Sequence, residues 1–257
     1  MTTNFEKFKQ LHYANELLIL PNAWDAKSAQ TLQELQFPAI ATSSMAVANS
    51  LGYDDGEVMP LKDYLFVIKR ILSLLQTPLT VDFEMGYGNS DKQVADNILM
   101  LAELGVAGIN LEDSSIANTV RSLKDENAFA KTIEHAKSSL TKKGFELFLN
   151  VRCDTYLLNI KNKQQETRKR IKLYESSGAD GIFLPCICEQ QDISDAVNHT
   201  SLPLNVMCIP GLPDLDELQQ LGVKRLSAGP FLFNKVYSSI ANLTNKIKED
   251  KSIATLL

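Results

Sequence analysis

Short apolar runs of four to seven residues alternate along this chain with longer stretches whose apolar positions recur at helical spacing. The first run is Leu17 to Leu20. A stretch from about Ala26 to Gln36 follows, in which Ala29, Leu32 and Leu35 share one face, and Pro38 stops it. Ala39 to Thr42 reads as the second strand and Leu61 to Leu75 as the second helix, with a polar loop from Ser43 to Met59 between them. The alternation continues with strand Leu79 to Glu84 and helix Ser90 to Leu104, then strand Ala107 to Glu112 and a helix from about Lys124 to Thr141. Strand Glu146 to Arg152 leads to helix Asn162 to Ser177. Gly181 to Leu184, Leu204 to Cys208 and Arg225 to Ala228 complete the strands, with helices at Gln191 to Asn198, Asp214 to Leu221 and Phe231 to Lys248.

Eight strand and helix pairs in 257 residues predict parallel, right-handed crossovers closing into a (β/α)8 barrel, one domain over residues 1–257. A doubly wound open sheet is the alternative, but no Gly-x-Gly-x-x-Gly turn follows the first strand, and no Pro-, Gly- or Ser-rich linker divides the pattern.

In such a barrel, residues at the C-terminal ends of all strands converge on one mouth. The third strand ends Val81-Asp82-Phe83-Glu84, the fourth Leu111-Glu112-Asp113, and the fifth Asn150-Val151-Arg152-Cys153-Asp154. Five carboxylates and one arginine therefore gather at one end, while the same strands begin with Leu79-Thr80, Ala107-Gly108 and Glu146-Leu147. Crowded carboxylates repel unless a cation shares their charge, and oxygen ligands with few imidazoles suit Mg2+ or Mn2+ better than zinc. Period-two alternation puts Asp82 and Glu84 on one face, so Asp82, Glu84 and Glu112 are read together as metal-site acids. Asp113 and Asp154 can equally be helix caps. Arg152 is either a structural counter-ion or a clamp for an anionic substrate. Thr42-Ser43-Ser44-Met45 offers hydroxyls and backbone N–H groups to a carboxylate, or is an ordinary turn. Ser50 to Glu57 is a surface loop or a lid that carries an acid, and Trp24 either packs the rim or lines the pocket.

Charge narrows the partners. With 26 basic and 31 acidic residues, a formal charge of −5 and no basic stripe, nucleic acid is excluded as a partner. No apolar run is long enough to span a bilayer, and the polar start Met1 to Gln10 has no leader pattern, so a cytoplasmic location is expected. Cys153, Cys186, Cys188 and Cys208 have neither disulfide-framework nor zinc-finger spacing. Three of them fall near strand ends, but His12, His135 and His199 lie outside that set, leaving no evident partner to make a thiolate.

Seven segments then form an ordered set: Pro21-Asn22-Ala23-Trp24-Asp25, Thr42-Ser43-Ser44, Ser50-Leu51-Gly52-Tyr53, Asp82-Phe83-Glu84-Met85-Gly86-Tyr87-Gly88, Gly108 to Ser114, Arg152 to Leu157 and Leu204 to Met207. Together they resemble the isocitrate lyase and phosphoenolpyruvate mutase superfamily, over about residues 17 to 240. The resemblance implies a (β/α)8 barrel, usually a homotetramer with a C-terminal helix exchanged between neighbours, acting with Mg2+ on small 2-oxo acids through a metal-bound pyruvate enolate. It implies that Asp82, Glu84 and Glu112 serve the metal, Asp82 directly and the others partly through water. Asp55 is the loop acid that assists them. Ser43 with the N–H groups of Ser44 and Met45 would cradle a substrate carboxylate, Arg152 would face developing negative charge, and Asn205 would be a polar site residue. Where lyases of that family carry Lys-Lys/Arg-Cys-Gly-His and mutases Lys-Thr-Asn, this chain reads Ser114-Ser115-Ile116-Ala117-Asn118-Thr119-Val120-Arg121. The expected activity is Mg2+-dependent cleavage of a C–C bond in a 2-oxo or 2-hydroxy diacid. The alternatives are P–C chemistry of the mutase or phosphonopyruvate hydrolase kind, or a barrel that binds 2-oxo acids without turnover.

Overall fold

The protein is described here by a computed structural model covering residues 2–257. In chain order the elements are α1 (Asn4–His12), β1 (Leu18–Leu20), β2 (Asn22–Ala23), α2 (Ala26–Glu34), β3 (Ile40–Thr42), α3 (Ser44–Ser50), α4 (Leu61–Leu72), β4 (Leu79–Asp82), α5 (Asp91–Glu103) and β5 (Gly108–Glu112). They continue with β6 (Ser114–Ala117), β7 (Val120–Leu123), α6 (Glu126–Lys143), β8 (Phe148–Arg152), α7 (Lys163–Ser176), β9 (Gly181–Phe183), α8 (Gln190–Asn198), β10 (Leu204–Met207), α9 (Leu215–Gln220), β11 (Arg225–Ser227) and α10 (Phe231–Asp250).

Nine parallel strand segments form the main sheet, in the order β1-β11-β10-β9-β8-β5-β4-β3-β2. β1 and β2 are two halves of one strand interrupted at Pro21, which has no N–H to give a ladder. The first half pairs with β11 and the second with β3, so the ring closes through this strand as the eight-unit alternation predicts.

The barrel floor is plugged by α1, an element the apolar pattern did not single out. Thr3 caps that helix in a reciprocal pair with Glu6. Its Phe8 enters the barrel among Leu18, Leu20, Ala39, Ala41, Ala107 and Phe148. Only glycine fits opposite it, because a Cβ at Gly108 would stand 2.8 Å from the Phe8 ring and 3.0 Å from the Phe148 carbonyl. His12 stacks on Phe148 at 4.2 Å and pairs through Nδ1 with the Phe8 carbonyl. Burial, aided by the nearby Arg225 charge, holds its pKa down to about 3. The unfolded chain therefore takes up a proton near pH 6.5 that the folded protein refuses until about pH 3, and stability falls as pH drops through that window. The loss is expected to reach several kcal/mol, on the order of 1.4 per pKa unit. Denaturant melts of wild type and His12→Leu between pH 7 and 4 check this: the variant should show a flatter pH dependence, and equal slopes would contradict it.

Above the plug lies a polar layer. Asn150 Nδ2 donates to Asn110 Oδ1 at 2.8 Å and to Asn205 Oδ1 at 3.0 Å, and the buried Arg225 donates through Nη2 to Asn110 Oδ1 at 3.2 Å.

Three expectations need correction. The stretch Ser43 to Met59 is not all loop, because the Ser43 hydroxyl accepts from Ala46 N–H and starts α3. The third strand stops at Asp82, and Glu84 takes φ +49°, so these two acids are not successive same-face positions of one strand. The connection after β5 carries an antiparallel hairpin, β6 with β7, that was not foreseen. No helix among the described residues is long and apolar enough to cross a membrane.

Candidate active site

At the C-terminal ends of the strands a cleft of about 280 Å3 is lined by Ser43, Ser44, Met45, Asp55, Asp82 and Arg152 from the expected set, together with Asn110 and Arg121. Leu157, Phe183, Pro185 and Met207 supply its apolar wall. No thiol, phenol or imidazole lines it among the described residues.

One wall is acidic. β4 delivers Asp82, whose Oδ2 accepts from Ser44 N–H at 3.3 Å and Ser44 Oγ at 2.8 Å, while Oδ1 accepts from Asn110 at 3.3 Å. Its backbone is locked from behind: Asp82 N–H donates to Thr42 Oγ1 at 3.0 Å and Tyr64 OH donates to the Asp82 carbonyl at 2.8 Å. Asp55 comes from the loop after α3, and its buried Oδ1 has no hydrogen-bond partner. Burial, then the Asp82 charge, raise its pKa. Glu84 lies beside them but turns away from the cleft, accepting from Glu57 N–H and Tyr87 OH, each at 2.8 Å. Burial, then Asp55, push it up to about 8.

The other wall is cationic. Glu112, at the end of β5, pairs with Arg152 Nη1 at 3.0 Å and with Arg121 Nη1. Asp154 accepts from Arg152 Nε at 2.6 Å, from Ser114 Oγ at 2.6 Å and from Arg121 Nη1 at 3.4 Å. Burial pulls Arg152 down, but Glu112, Asp154 and Asp82 more than offset it, so the guanidinium stays charged. Lys124 lies behind this wall and lines a neighbouring cavity, its Nζ donating to the Glu112 carbonyl at 3.3 Å.

Several predicted residues lie elsewhere. Trp24 packs edge-on against Phe233 at 5.3 Å and borders an apolar groove with Leu32, Leu35 and Val236, outside the cleft. Asn205 sits below the cleft in the polar layer, where Asn150 fixes its Oδ1 and its Nδ2 donates to the Val206 and Arg225 carbonyls. Asp113 and Asp154 cap no helix. Asp113 binds Arg170 at 3.0 Å, Tyr174 OH at 2.8 Å and Asp154 N–H at 2.9 Å. Tyr53 hydrogen-bonds Asp63, and Cys153 is fully buried with burial raising its thiol, so neither reaches the cleft. Arg121 and Asn110 line the cleft although sequence reading had not singled them out.

Against known proteins, a family profile described as phosphoenolpyruvate phosphomutase matches residues 8–248. The chain belongs to that family. Within the phosphoenolpyruvate mutase and isocitrate lyase superfamily, an uncharacterised Mycobacterium tuberculosis protein is 30% identical over 96% of this chain and 90% of its own length. Oxaloacetate decarboxylase 1 of Pseudomonas fluorescens is 26% identical over 96% of this chain and 85% of its own. The crystal structure of a phosphonomutase-type protein from Burkholderia cenocepacia J2315 superposes with a TM-score of 0.87 at 34% identity, covering 93% of this chain and 97% of that one. Superfamily members of this kind are lyases or mutases and depend on divalent metals, so the chain is read as an enzyme.

Proposed function

We propose that the protein is a Mg2+- or Mn2+-dependent lyase that breaks a C–C bond in a small 2-oxo or 2-hydroxy diacid and releases pyruvate or a related 2-oxo acid. The observation that carries this is the division of one cleft into an acidic wall, Asp82 and Asp55, and a guanidinium wall, Arg152 and Arg121. The orphaned Asp55 oxygen beside Asp82 fits a cation, because a buried carboxylate oxygen without a partner is costly. Among the described residues no three Asp, Glu, His or Cys side chains converge closely enough to ligate one ion. Asp82 would hold the metal directly, with Asp55, Glu84 and Glu112 joining through water, as suits an ion that keeps several waters. When bound there, the metal supplies positive charge to the oxygen on which electrons collect as the bond breaks.

The chain's own residues do the rest. Ser43, with the N–H groups of Met45 and of Ser44, the latter shared with Asp82 at 3.3 Å, receives the substrate carboxylate next to the 2-oxo group. Arg152, held rigid by Glu112 and Asp154, faces the negative charge of the enolate. The apolar wall excludes water from it. The similarity to an oxaloacetate decarboxylase supports C–C cleavage, and the absence of thiol, phenol and imidazole from the cleft suits decarboxylation, which needs no base to deprotonate a hydroxyl. The test is pyruvate release from a panel of 2-oxo and 2-hydroxy diacids with Mg2+, and its loss on chelation. The family profile favours P–C chemistry as a second reading; phosphorus-31 spectra of a phosphonopyruvate incubation would reveal it. Binding without turnover of either kind would leave a sensor.

The same reading includes a homo-oligomer, a dimer or tetramer. α10 leaves the barrel after Phe233 with Val236, Tyr237, Ile240 and Leu243 exposed along it, and a bare apolar groove lies at its root beside Leu32 and Leu35. A second copy, exchanging this helix, would cover both. Light scattering should give a multiple of the chain mass, and truncation before Val236 should give a monomer.

A further inference from the structure

The mechanism so far leaves one cation of the cleft without a task. Arg152 is fully engaged: its Nε and Nη2 meet Asp154 and its Nη1 meets Glu112. Arg121 is used on one side only. Every acceptor it has among the described residues, Glu112, Ser114 and Asp154, lies on Nη1, so its Nε and Nη2 have no protein partner while the residue lines the cleft. Its side chain is 19% exposed, and the residue lines the cleft.

The free edge is held in place from both sides. Ser114 and Leu123 pair at the base of the hairpin, and Ile116 pairs with Arg121 across it. Ile116 in turn rests on the loop that carries Asp55: a Cβ at Gly56 would come 2.6 Å from Ile116 Cδ1, and Gly56 has φ +92°. The backbone conformation favours glycine there, and its lack of a Cβ lets the Ile116 side-chain tip come close. The hairpin thus docks on the acidic loop and presents Arg121 across the cleft from Asp82. The two guanidiniums share the carboxylates of Glu112 and Asp154, and of the two only Arg121 keeps donors that no protein group takes.

Building on the lyase reading above, we propose that Arg121 binds the distal carboxylate of the substrate and thereby selects dicarboxylic over monocarboxylic 2-oxo acids. In that arrangement the 2-oxo end lies at Ser43, Ser44 and Asp82, and the far carboxylate lies across the Nε and Nη2 edge of Arg121, where a planar fork meets two oxygens. The bond that breaks lies between the two ends. In a C4 2-oxo diacid its electron pair becomes the C=C of the enolate, the carbonyl π pair moves to oxygen, and the distal carboxylate, having given up that pair, departs from Arg121 as neutral carbon dioxide.

The experiment is calorimetric titration of two probes in the presence of Mg2+: oxalate, which lacks a distal group, and 3,3-difluorooxaloacetate, which has one. Arg121→Gln should weaken the diacid by about tenfold to a hundredfold, the worth of a charge-assisted hydrogen-bonded contact, and leave oxalate within about twofold. Arg121→Lys, which keeps the charge but not the fork, should fall between. Retained oxalate binding also shows that the variant is folded. Equal losses for both probes would make Arg121 a structural counter-ion of Glu112, and no loss for either would remove it from recognition; both overturn the assignment while sparing the lyase reading. Wild type that binds neither probe would overturn both.

Discussion

Replacing Asp82 with Ala is expected to lower metal-dependent turnover by about a thousandfold or more, since several kcal/mol of charge stabilisation at the reacting oxygen goes with the ion. Asp82 is the acid that faces the cleft from the end of a barrel strand, and both its oxygens already hold partners, Ser44 and Asn110, that fix its orientation. Those partners also make Asp82→Asn the stricter variant. The amide keeps the shape and an acceptor for Ser44 but loses the charge, so activity should fall nearly as far as in the Ala variant. A steady-state assay over a range of Mg2+ concentrations checks it. Activity near that of wild type in either variant would remove Asp82 from the metal site.

Arg152→Ala should be the most destabilising single change at the cleft. Removing one partner from a buried ion pair leaves uncompensated charge and typically costs about 3–5 kcal/mol. Here Glu112 and Asp154, 1% and 0% exposed, would both lose their principal counter-ion, with Arg121 left as partial compensation. The loss should therefore fall toward the lower part of that range. For a chain of this size each kcal/mol moves the melting temperature by about 2–4 °C. Arg152→Lys restores the charge but not the fork, and should regain part of the stability and little of the activity. A shift of less than about 0.5 kcal/mol for the Ala variant, the range of an ordinary surface substitution, would mean that the four charges do not act as a unit.

The barrel was legible because buried parallel strands read as short apolar runs, and β4, β5 and β8 each end in the polar residues that mark the mouth. What the pattern hid lies off that scheme. α1 is too polar along most of its length to signal a core element; its role depends on Phe8 and His12 entering the floor opposite Gly108. Period-two alternation places Glu84 on the face of Asp82 only if the strand continues, and β4 ends two residues earlier, at Asp82, with Glu84 at positive φ. Asn205 matched a family motif, yet its register opposite Arg225 places it in the layer beneath the cleft. Trp24 directly follows β2, and the packing of Phe233 against it keeps it at the rim.

Arg121 was hidden for a different reason. The hairpin that delivers it is short, mixes polar and apolar residues along both strands, and replaces the family's loop signatures, so neither pattern nor motif pointed there. A local signal did exist: Asn118 and Thr119 both take positive φ, the backbone of a two-residue hairpin turn, and Asn favours such a position. Reading Asn118-Thr119 as a turn puts Arg121 directly opposite Ile116 and brings it back to the mouth.

The measurement that bears most directly on the central claim is the affinity of oxalate, a mimic of the pyruvate enolate, with and without Mg2+, for wild type and Asp82→Ala. A metal-centred enolate site predicts binding to wild type that requires Mg2+ and disappears in the variant. Binding of equal strength without the metal or without Asp82, or no binding under any condition, would contradict it.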